Sequence, residues 1–79
     1  MNNPSHQQGD PSLLGQIVSN ARRQKGLTQK DLSAKTGIAQ SDISRLEQSN
    51  ANPSVRTLER IASGLGMQLH IEFVPVDEP

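Results

Sequence analysis

The chain has 79 residues, no cysteine, a single aromatic residue and a formal net charge of zero. This length fits one domain with a small core, which needs oligomerisation or another restraint to become more than marginally stable. The lack of cysteine excludes disulfides and thiolate metal sites. No apolar run approaches the roughly 20 residues that span a bilayer, and the first residues lack a signal-peptide pattern. We therefore expect a soluble, cytoplasmic protein with no membrane partner.

The zero net charge conceals an uneven distribution. All eight basic residues lie between positions 22 and 60, where there are only four acids, so this segment carries +8 − 4 = +4. Three of the other acids are close to the C-terminus. A basic middle between acidic ends is able to present a positive face to phosphate, although a solvated surface of mixed charge has the same composition.

The first helix is predicted to follow a short polar arm. Residues 1–10 have almost nothing to bury, which predicts a disordered arm. Asp10 and Pro11 then form a typical helix start, with an N-cap acid before a first-turn proline. Gly26 ends the helix. The apolar residues at helical spacing are Leu14, Ile17, Val18 and Ala21.

The second helix is predicted over residues 29–36. Thr28 and Asp31 have the spacing of a capping box at its start, and Gly37 ends it. The residues expected to point inward are Leu32 and Ala34.

A third helix is predicted over residues 40–48, after a glycine-containing turn at 37–39. Such a turn sets two helices near a right angle, so that the second is able to enter the major groove of DNA. Ile43 and Leu46 are expected to face the core. At about 100° per residue, the opposite face carries groups able to hydrogen-bond base edges or phosphates: Gln40, Ser41, Ser44, Arg45 and Gln48. Since exposed helix faces are usually polar, this pattern alone does not assign a function.

A fourth helix and one strand complete the expected fold. Ser54 caps the helix after a loop over 49–53, and Gly66 ends it. From Met67 onward the apolar residues alternate as in a half-buried strand, which Pro75 ends. The apolar stripe of the helix is Val55, Leu58, Ile61, Ala62 and Leu65. The sequence thus predicts a mainly α fold of four to five short helices plus one C-terminal β-strand.

The strand has no partner in an otherwise helical chain, so its backbone groups must be paired elsewhere. The same strand of a second copy is the economical partner, which predicts a homodimer in which Leu69, Ile71 and Phe73 face the helices. A frayed tail is the alternative. The expected divisions of the chain are an arm at 1–10, a helical domain at 11–66, a dimerisation strand at 67–75 and a tail at 76–79.

The segment LTQKDLSAKTGIAQSDISRLEQSNANPSVRTLERIASGLGM resembles the Cro/repressor-type (XRE) helix-turn-helix family of bacteria and phages. The similarity covers about residues 13–67, and its motifs are L-T-Q, A-K-T-G-I, I-S-x-L-E and N-P-S-x-x-T-L followed by I-A. The resemblance implies a lambda-repressor-like domain that binds double-stranded DNA and regulates transcription. A dimer of such domains is expected to read an inverted-repeat operator as a repressor.

The resemblance also implies roles for individual residues. Gln29 would contact phosphate, and Asn50 and Asn52 would lie near the DNA backbone. The base-reading residues would be Gln40, Ser41 and Arg45, with Ser44 contacting base or phosphate.

A pairing of Arg22 with Glu47 is also implied by the resemblance. This chain departs from the family pattern at Ala39, where a capping Ser, Thr or Asn is usual. It departs again after Glu47, where Gln48 and Ser49 replace a common Asn-Gly.

Other functions remain open at this point. A helix-turn-helix domain with a C-terminal strand is also similar to the antitoxin subunits of HipBA-type modules, so neutralisation of a toxin protein, with autoregulation, is an alternative. A regulator of phage immunity or of restriction is a third. His6 and His70 lack further ligands at useful spacing, and the chain is too small to enclose a substrate pocket. We therefore expect no enzyme activity, no metal site and no cofactor.

Overall fold

The computed structural model describes residues 13–48 and 52–77. These residues form four helices, α1 (Leu13–Gln24), α2 (Gln29–Thr36), α3 (Gln40–Gln48) and α4 (Val55–Gly64). The mainly α fold is confirmed. The predicted arm, the helix start at Asp10 and Pro11, and Asn50 lie outside the described residues.

Local hydrogen bonds explain the bounds of α2, which match the predicted ones. The Thr28 hydroxyl accepts the backbone N–H of Asp31 at 3.0 Å, and the Asp31 carboxylate accepts the backbone N–H of Thr28 at 2.9 Å. This capping box satisfies donors that the first turn of a helix leaves unpaired. Gly37 ends the helix at φ 78°, and its N–H donates to the carbonyl of Ser33 at 2.9 Å. A left-handed residue here favours glycine because it has no Cβ.

The core is small, with all four helices contributing to it. Its buried apolar side chains are Val18, Leu32, Ile43, Leu46, Ile61 and Leu65. Helix α3 packs against both α1 and α2, and α2 also packs against α4. The exposed side of α3 is therefore supported from behind by α1 and α2.

The backbones of α1 and α3 come unusually close at Gly15. A Cβ atom placed on Gly15 would lie 2.5 Å from the carbonyl oxygen of Leu46 and 2.9 Å from that of Glu47. No L-amino acid with a side chain fits at these distances without moving the backbone. Glycine is therefore required here by space, not by backbone conformation.

The expectation that Ala34 points inward is wrong, because Ala34 is exposed. Two residues along a helix differ by about 200° in direction, so a narrow helix contact buries either Leu32 or Ala34. Leu32 is the buried residue, at 0% exposure. Ile17 and Val55, from the predicted apolar stripes of α1 and α4, are 53% and 54% exposed.

The chain continues beyond α4 as an extended segment, residues 67–77, which we call the C-terminal tail. Within the described residues no β-strand is formed, so the predicted strand is not present in the single chain, which has no second strand there for it to pair with. Met67 and Leu69 are half-buried, but Ile71 is 62% exposed and Phe73 is fully exposed. In the chain by itself Phe73 therefore does not pack on the helices and Ile71 is mostly exposed, and strand pairing with a second copy remains a prediction.

Among the described residues, none of the helices has the length and apolar character that crossing a membrane requires.

Candidate nucleic-acid interface

Helix α3 buries one side and exposes a polar side. Ile43 and Leu46 are in the core, as predicted. On the other side Ser44 is half-buried, and the exposed residues are Gln40, Ser41, Arg45 and Gln48. The candidate base-reading residues are thus brought together on one solvent-facing surface of a well-supported helix.

Ala39 occupies the N-cap position of α3. Its carbonyl accepts the backbone N–H groups of Asp42 and Ile43 at 3.0 and 3.1 Å, which are the first intrahelical bonds of α3. The methyl side chain of Ala39 cannot accept a hydrogen bond, unlike the usual capping residues. The helix therefore begins where the sequence predicts, but without a side-chain cap.

Arg22 and Glu47 form a two-bond ion pair between α1 and the end of α3, which confirms the pairing implied by the resemblance. The Arg22 Nε donates to Glu47 Oε2 at 2.8 Å, and the Arg22 NH2 group donates to Oε1 at 2.9 Å. The third nitrogen of Arg22 donates to the carbonyl of Leu27 at 2.8 Å. Both side chains are nearly buried, at 10% and 4% exposure. The pair therefore ties α3 to α1 at low local dielectric.

The pKa values of this pair follow from its contacts. Burial by itself raises the pKa of Glu47, but the hydrogen bonds from Arg22 and Gln29, with the charges of Arg22 and Arg23, outweigh it and hold the pKa below the usual value. The hydrogen bond to Glu47 raises the pKa of Arg22. Both groups are therefore charged at neutral pH.

Gln29 also bonds to Glu47, a contact that sequence reasoning missed. Its Nε2 donates to Glu47 Oε1 at 3.0 Å, and the residue is half-buried at the start of α2. Glu47 thus joins α1, α2 and α3 at one point. The contact of Gln29 with phosphate remains a prediction, with the side chain fixed near the C-terminal end of α3.

Arg45 forms an exposed ion pair with Asp42, one turn earlier in α3. The two side chains are 65% and 54% exposed. An acid and a base three residues apart on a helix are neighbours, so this spacing was a usable signal. Asp42 is thus a residue of the site that the sequence analysis did not identify.

An open polar groove of about 570 Å³ runs beside α3, between the turn at 37–39 and the start of α4. Arg45 and Asn52 both line it, so the structure brings these two predicted site residues together. Arg60 lies on its far side and donates from NH2 to the carbonyl of Thr36 at 2.8 Å. Gln29 is not among the residues that line this groove.

A second groove, of about 300 Å³, is apolar and lies between α1, α4 and the C-terminal tail; we call it the α1–α4 groove. Ile17, Leu58 and Leu69 are among the residues that line it. The described residues hold no group of three side chains suited to a metal ion.

A model of the helix-turn-helix family matches residues 18–70, from α1 into the C-terminal tail. The chain belongs to the helix-turn-helix family. The resemblance that the sequence motifs carried is therefore confirmed.

Relatives of this helix-turn-helix chain include an uncharacterized HTH-type transcriptional regulator, y4dJ, of Sinorhizobium fredii. It is 43% identical over 67 residues, which cover 84% of this chain and 86% of that protein. Among solved structures, C.Esp1396I bound to a 25-base-pair operator site is similar at a TM-score of 0.69 and 31% identity, over 73% of this chain and 76% of that one. A chain of the HipA–HipB–O2–O3 complex is similar at a TM-score of 0.69 and 29% identity, over 84% and 93%.

Proposed function

We propose that this chain represses transcription by occupying an inverted-repeat operator as a homodimer, in the cytoplasm. Family membership makes it a DNA-binding transcriptional regulator, and the proposal adds the mode of binding and the direction of regulation. The observation that carries it is the exposed polar face of α3, supported from behind by α1 and α2.

The base-reading residues in this proposal are Gln40, Ser41 and Arg45. Glutamine suits the major-groove edge of adenine, arginine that of guanine, and serine either. All three are exposed on α3, which has the dimensions to lie in a major groove. Helix α3 is thus proposed as the element that selects the sequence.

Phosphate contacts position the domain in this proposal. The residues that make them are Gln29, Asn50 and Asn52, with Ser44 contacting either phosphate or base. Three of the four are described, and they flank α3 or lie on it: Gln29 through its bond to Glu47, and Asn52 in the polar groove. Such contacts fix register and orientation, whereas bases supply specificity.

The homodimer is supported by two apolar surfaces left open in the chain. One is the α1–α4 groove; the other is the C-terminal tail, whose apolar side chains are mostly exposed. A fully exposed Phe73 alone presents about 150–250 Å² to water. Standard interfaces bury roughly 1,200–2,000 Å² in total, so a stable dimer would have to cover the α1–α4 grooves as well as the exposed ends of both tails. Strand pairing would also satisfy the backbone groups of residues 67–74.

The antitoxin alternative is not favoured by the curated relatives, which are regulators by name. The likeness to a chain of the HipA–HipB–O2–O3 complex supports the fold of the domain. It does not by itself indicate a toxin partner for this chain.

Selection of bound sites from random DNA tests the proposal. The expected product is an inverted repeat whose half-sites are separated by about 34 Å or a multiple of it, and which binds the full-length chain as a dimer. A duplex with one half-site scrambled is the matched control and should bind far more weakly. Failure to enrich any sequence would contradict sequence-specific binding, whereas enrichment of an asymmetric single site would contradict the dimer.

A further inference from the structure

Asp42 is an acid on the surface that is proposed to meet DNA. It lies between the exposed Arg45 and the buried Leu46 around α3, and its side chain is 54% exposed. A carboxylate repels phosphate, so its presence on this helix opposes general attraction to DNA. Its one hydrogen bond among the described residues is to the guanidinium of Arg45.

The carboxylate of Asp42 has a different partner from that of its counterpart in α2. Asp31 and Asp42 are both the third residue of their helices, the position from which an acid closes a capping box. Asp31 does so with Thr28, which offers a hydroxyl in return. The N-cap residue of α3 is Ala39, whose methyl side chain cannot accept the backbone N–H of Asp42 and so cannot complete a capping box. The Asp42 carboxylate bonds to the guanidinium of Arg45.

The contact changes what Arg45 is able to do. An arginine guanidinium has five donors in a planar fork, more than one carboxylate engages, and a pair of parallel donors matches the two acceptors of guanine. The carboxylate also offsets the charge of Arg45, which weakens its attraction to phosphate more than its directed bonds to a base edge. Held in one orientation, the side chain loses less conformational freedom on binding.

We propose that Asp42 is a positioning residue, which orients Arg45 toward a base edge and reduces its binding to phosphate. Asp42 thereby raises the specificity of the domain and lowers its affinity for unrelated DNA. The proposal rests on the proposed function, since it concerns how the exposed face of α3 reads an operator.

The test compares Asp42→Ala with the unchanged full-length chain on three duplexes: the selected operator, the same operator with the Arg45-dependent base pair replaced, and random DNA. We expect the preference for the operator over its single-pair variant to fall at least fivefold, within the range that one bidentate contact supplies (roughly 1–3 kcal/mol). Affinity for random DNA should rise roughly threefold as Arg45 becomes able to bind phosphate, with a salt slope steeper by about 0.9 per subunit. Both residues are exposed, so the variant is expected to fold.

Two variants separate the charge of Asp42 from its hydrogen bond and from its location. Asp42→Asn keeps an oxygen acceptor without the charge, so it should raise binding to random DNA as Asp42→Ala does but lose less of the base preference. Glu59→Ala removes the same charge from the exposed surface of α4. It should change both the preference for the operator and the affinity for random DNA less than twofold.

Three results would overturn the inference. The first is an unchanged base preference in Asp42→Ala, and the second is an equal effect of Glu59→Ala. The third is a further loss of preference when Asp42→Ala is added to Arg45→Ala, because Asp42 would then act without Arg45. If the unchanged chain itself shows no sequence preference, the proposed function fails instead, so the two failures are distinguishable.

Discussion

Arg22 and Glu47, 25 residues apart in the chain, are joined by two N–H···O bonds of 2.8 and 2.9 Å between nearly buried side chains. Glu47 also accepts a bond from Gln29. A single carboxylate at the end of α3 therefore fixes that helix against both α1 and α2. The same residue couples the folding stability of the domain to the position of the surface that is proposed to meet DNA.

Removing one member of the Arg22–Glu47 pair should destabilise far more than its net contribution suggests. Arg22→Met or Glu47→Leu alone leaves a buried charge without a partner, which costs about 3–5 kcal/mol, whereas the double variant should lose much less than the sum. Urea or thermal unfolding of the four proteins measures the coupling. The exposed Arg45–Asp42 pair, treated in the same way, should couple by less than about 1 kcal/mol. If the losses of unfolding free energy in the two single variants add up to that of the double variant, Arg22 and Glu47 are not energetically coupled.

Acid should unfold the protein through Glu47. Its pKa is lower in the folded state than its usual value of 4.5, so the folded state favours the carboxylate. The stability that this contributes is complete above the unfolded-state pKa and is lost as the pH falls through the lower folded-state value. Asp31, whose pKa is lowered by the backbone hydrogen bond of Thr28, acts in the same direction. The midpoint temperature of thermal unfolding, measured from pH 7 to pH 3, should decrease once the pH is below about 5. In Glu47→Gln this decrease should be smaller.

Single substitutions on the exposed face of α3 should change base preference. Arg45→Ala and Gln40→Ala are each expected to weaken operator binding by roughly 1–3 kcal/mol and to relax the preference at one base pair per half-site, different for the two variants. Fluorescence anisotropy on single-substitution operators measures both effects. Lys25→Ala removes a charge near the end of α1. It should weaken binding to all operator sequences equally or leave it unchanged. Unchanged operator affinity in Arg45→Ala would mean that α3 is not the reading helix.

The C-terminal tail should control the oligomeric state. The double variant Ile71→Ser, Phe73→Ser removes side chains worth roughly 1.5–3 kcal/mol each when fully buried, and should be monomeric in sedimentation at micromolar concentration. Val55→Ser, which alters an exposed apolar residue on α4 instead of the tail, should remain dimeric. The monomer should bind one half-site weakly with about half the salt slope. A full-length chain that is itself monomeric would rule out the paired tail.

Ala39→Ser should stabilise the domain. The carbonyl of Ala39 already accepts the first bonds of α3, so a hydroxyl there would cap a backbone donor that lacks a side-chain partner. The expected gain is about 0.5–1 kcal/mol in urea unfolding. Ala34→Ser, at an exposed position in the middle of α2, is the control. It should be slightly destabilising because serine is the weaker helix former. No gain at position 39 would mean that α3 begins elsewhere in solution.

The sequence predicted those elements whose signals are local. The bounds of α2 follow from Thr28, Asp31 and Gly37, whose hydrogen bonds lie within a few residues of each other. The bounds of α3 follow from the short turn before it and the alternation of buried and polar positions.

Features that depend on helix packing or on exposed side chains were harder to predict from the sequence. Which of Leu32 and Ala34 is buried depends on the direction from which α4 and α3 meet α2. The bond between Gln29 and Glu47 joins residues 18 apart and needs the packed helices to exist. The tail was predicted as a strand from its alternation, but a strand needs a partner that one chain lacks.

The contact at Gly15 bears on how such a domain changes its target. There the main chains of α1 and α3 meet directly, so no side chain spaces the two helices at that point. The residues proposed to face DNA are on the exposed side of α3 and take no part in this contact. Exchanging them alters the chemistry offered to the major groove while the helix stays where it is. In a domain built this way, substitutions on the exposed side of α3 are expected to change the operator that is bound without a compensating change in the core.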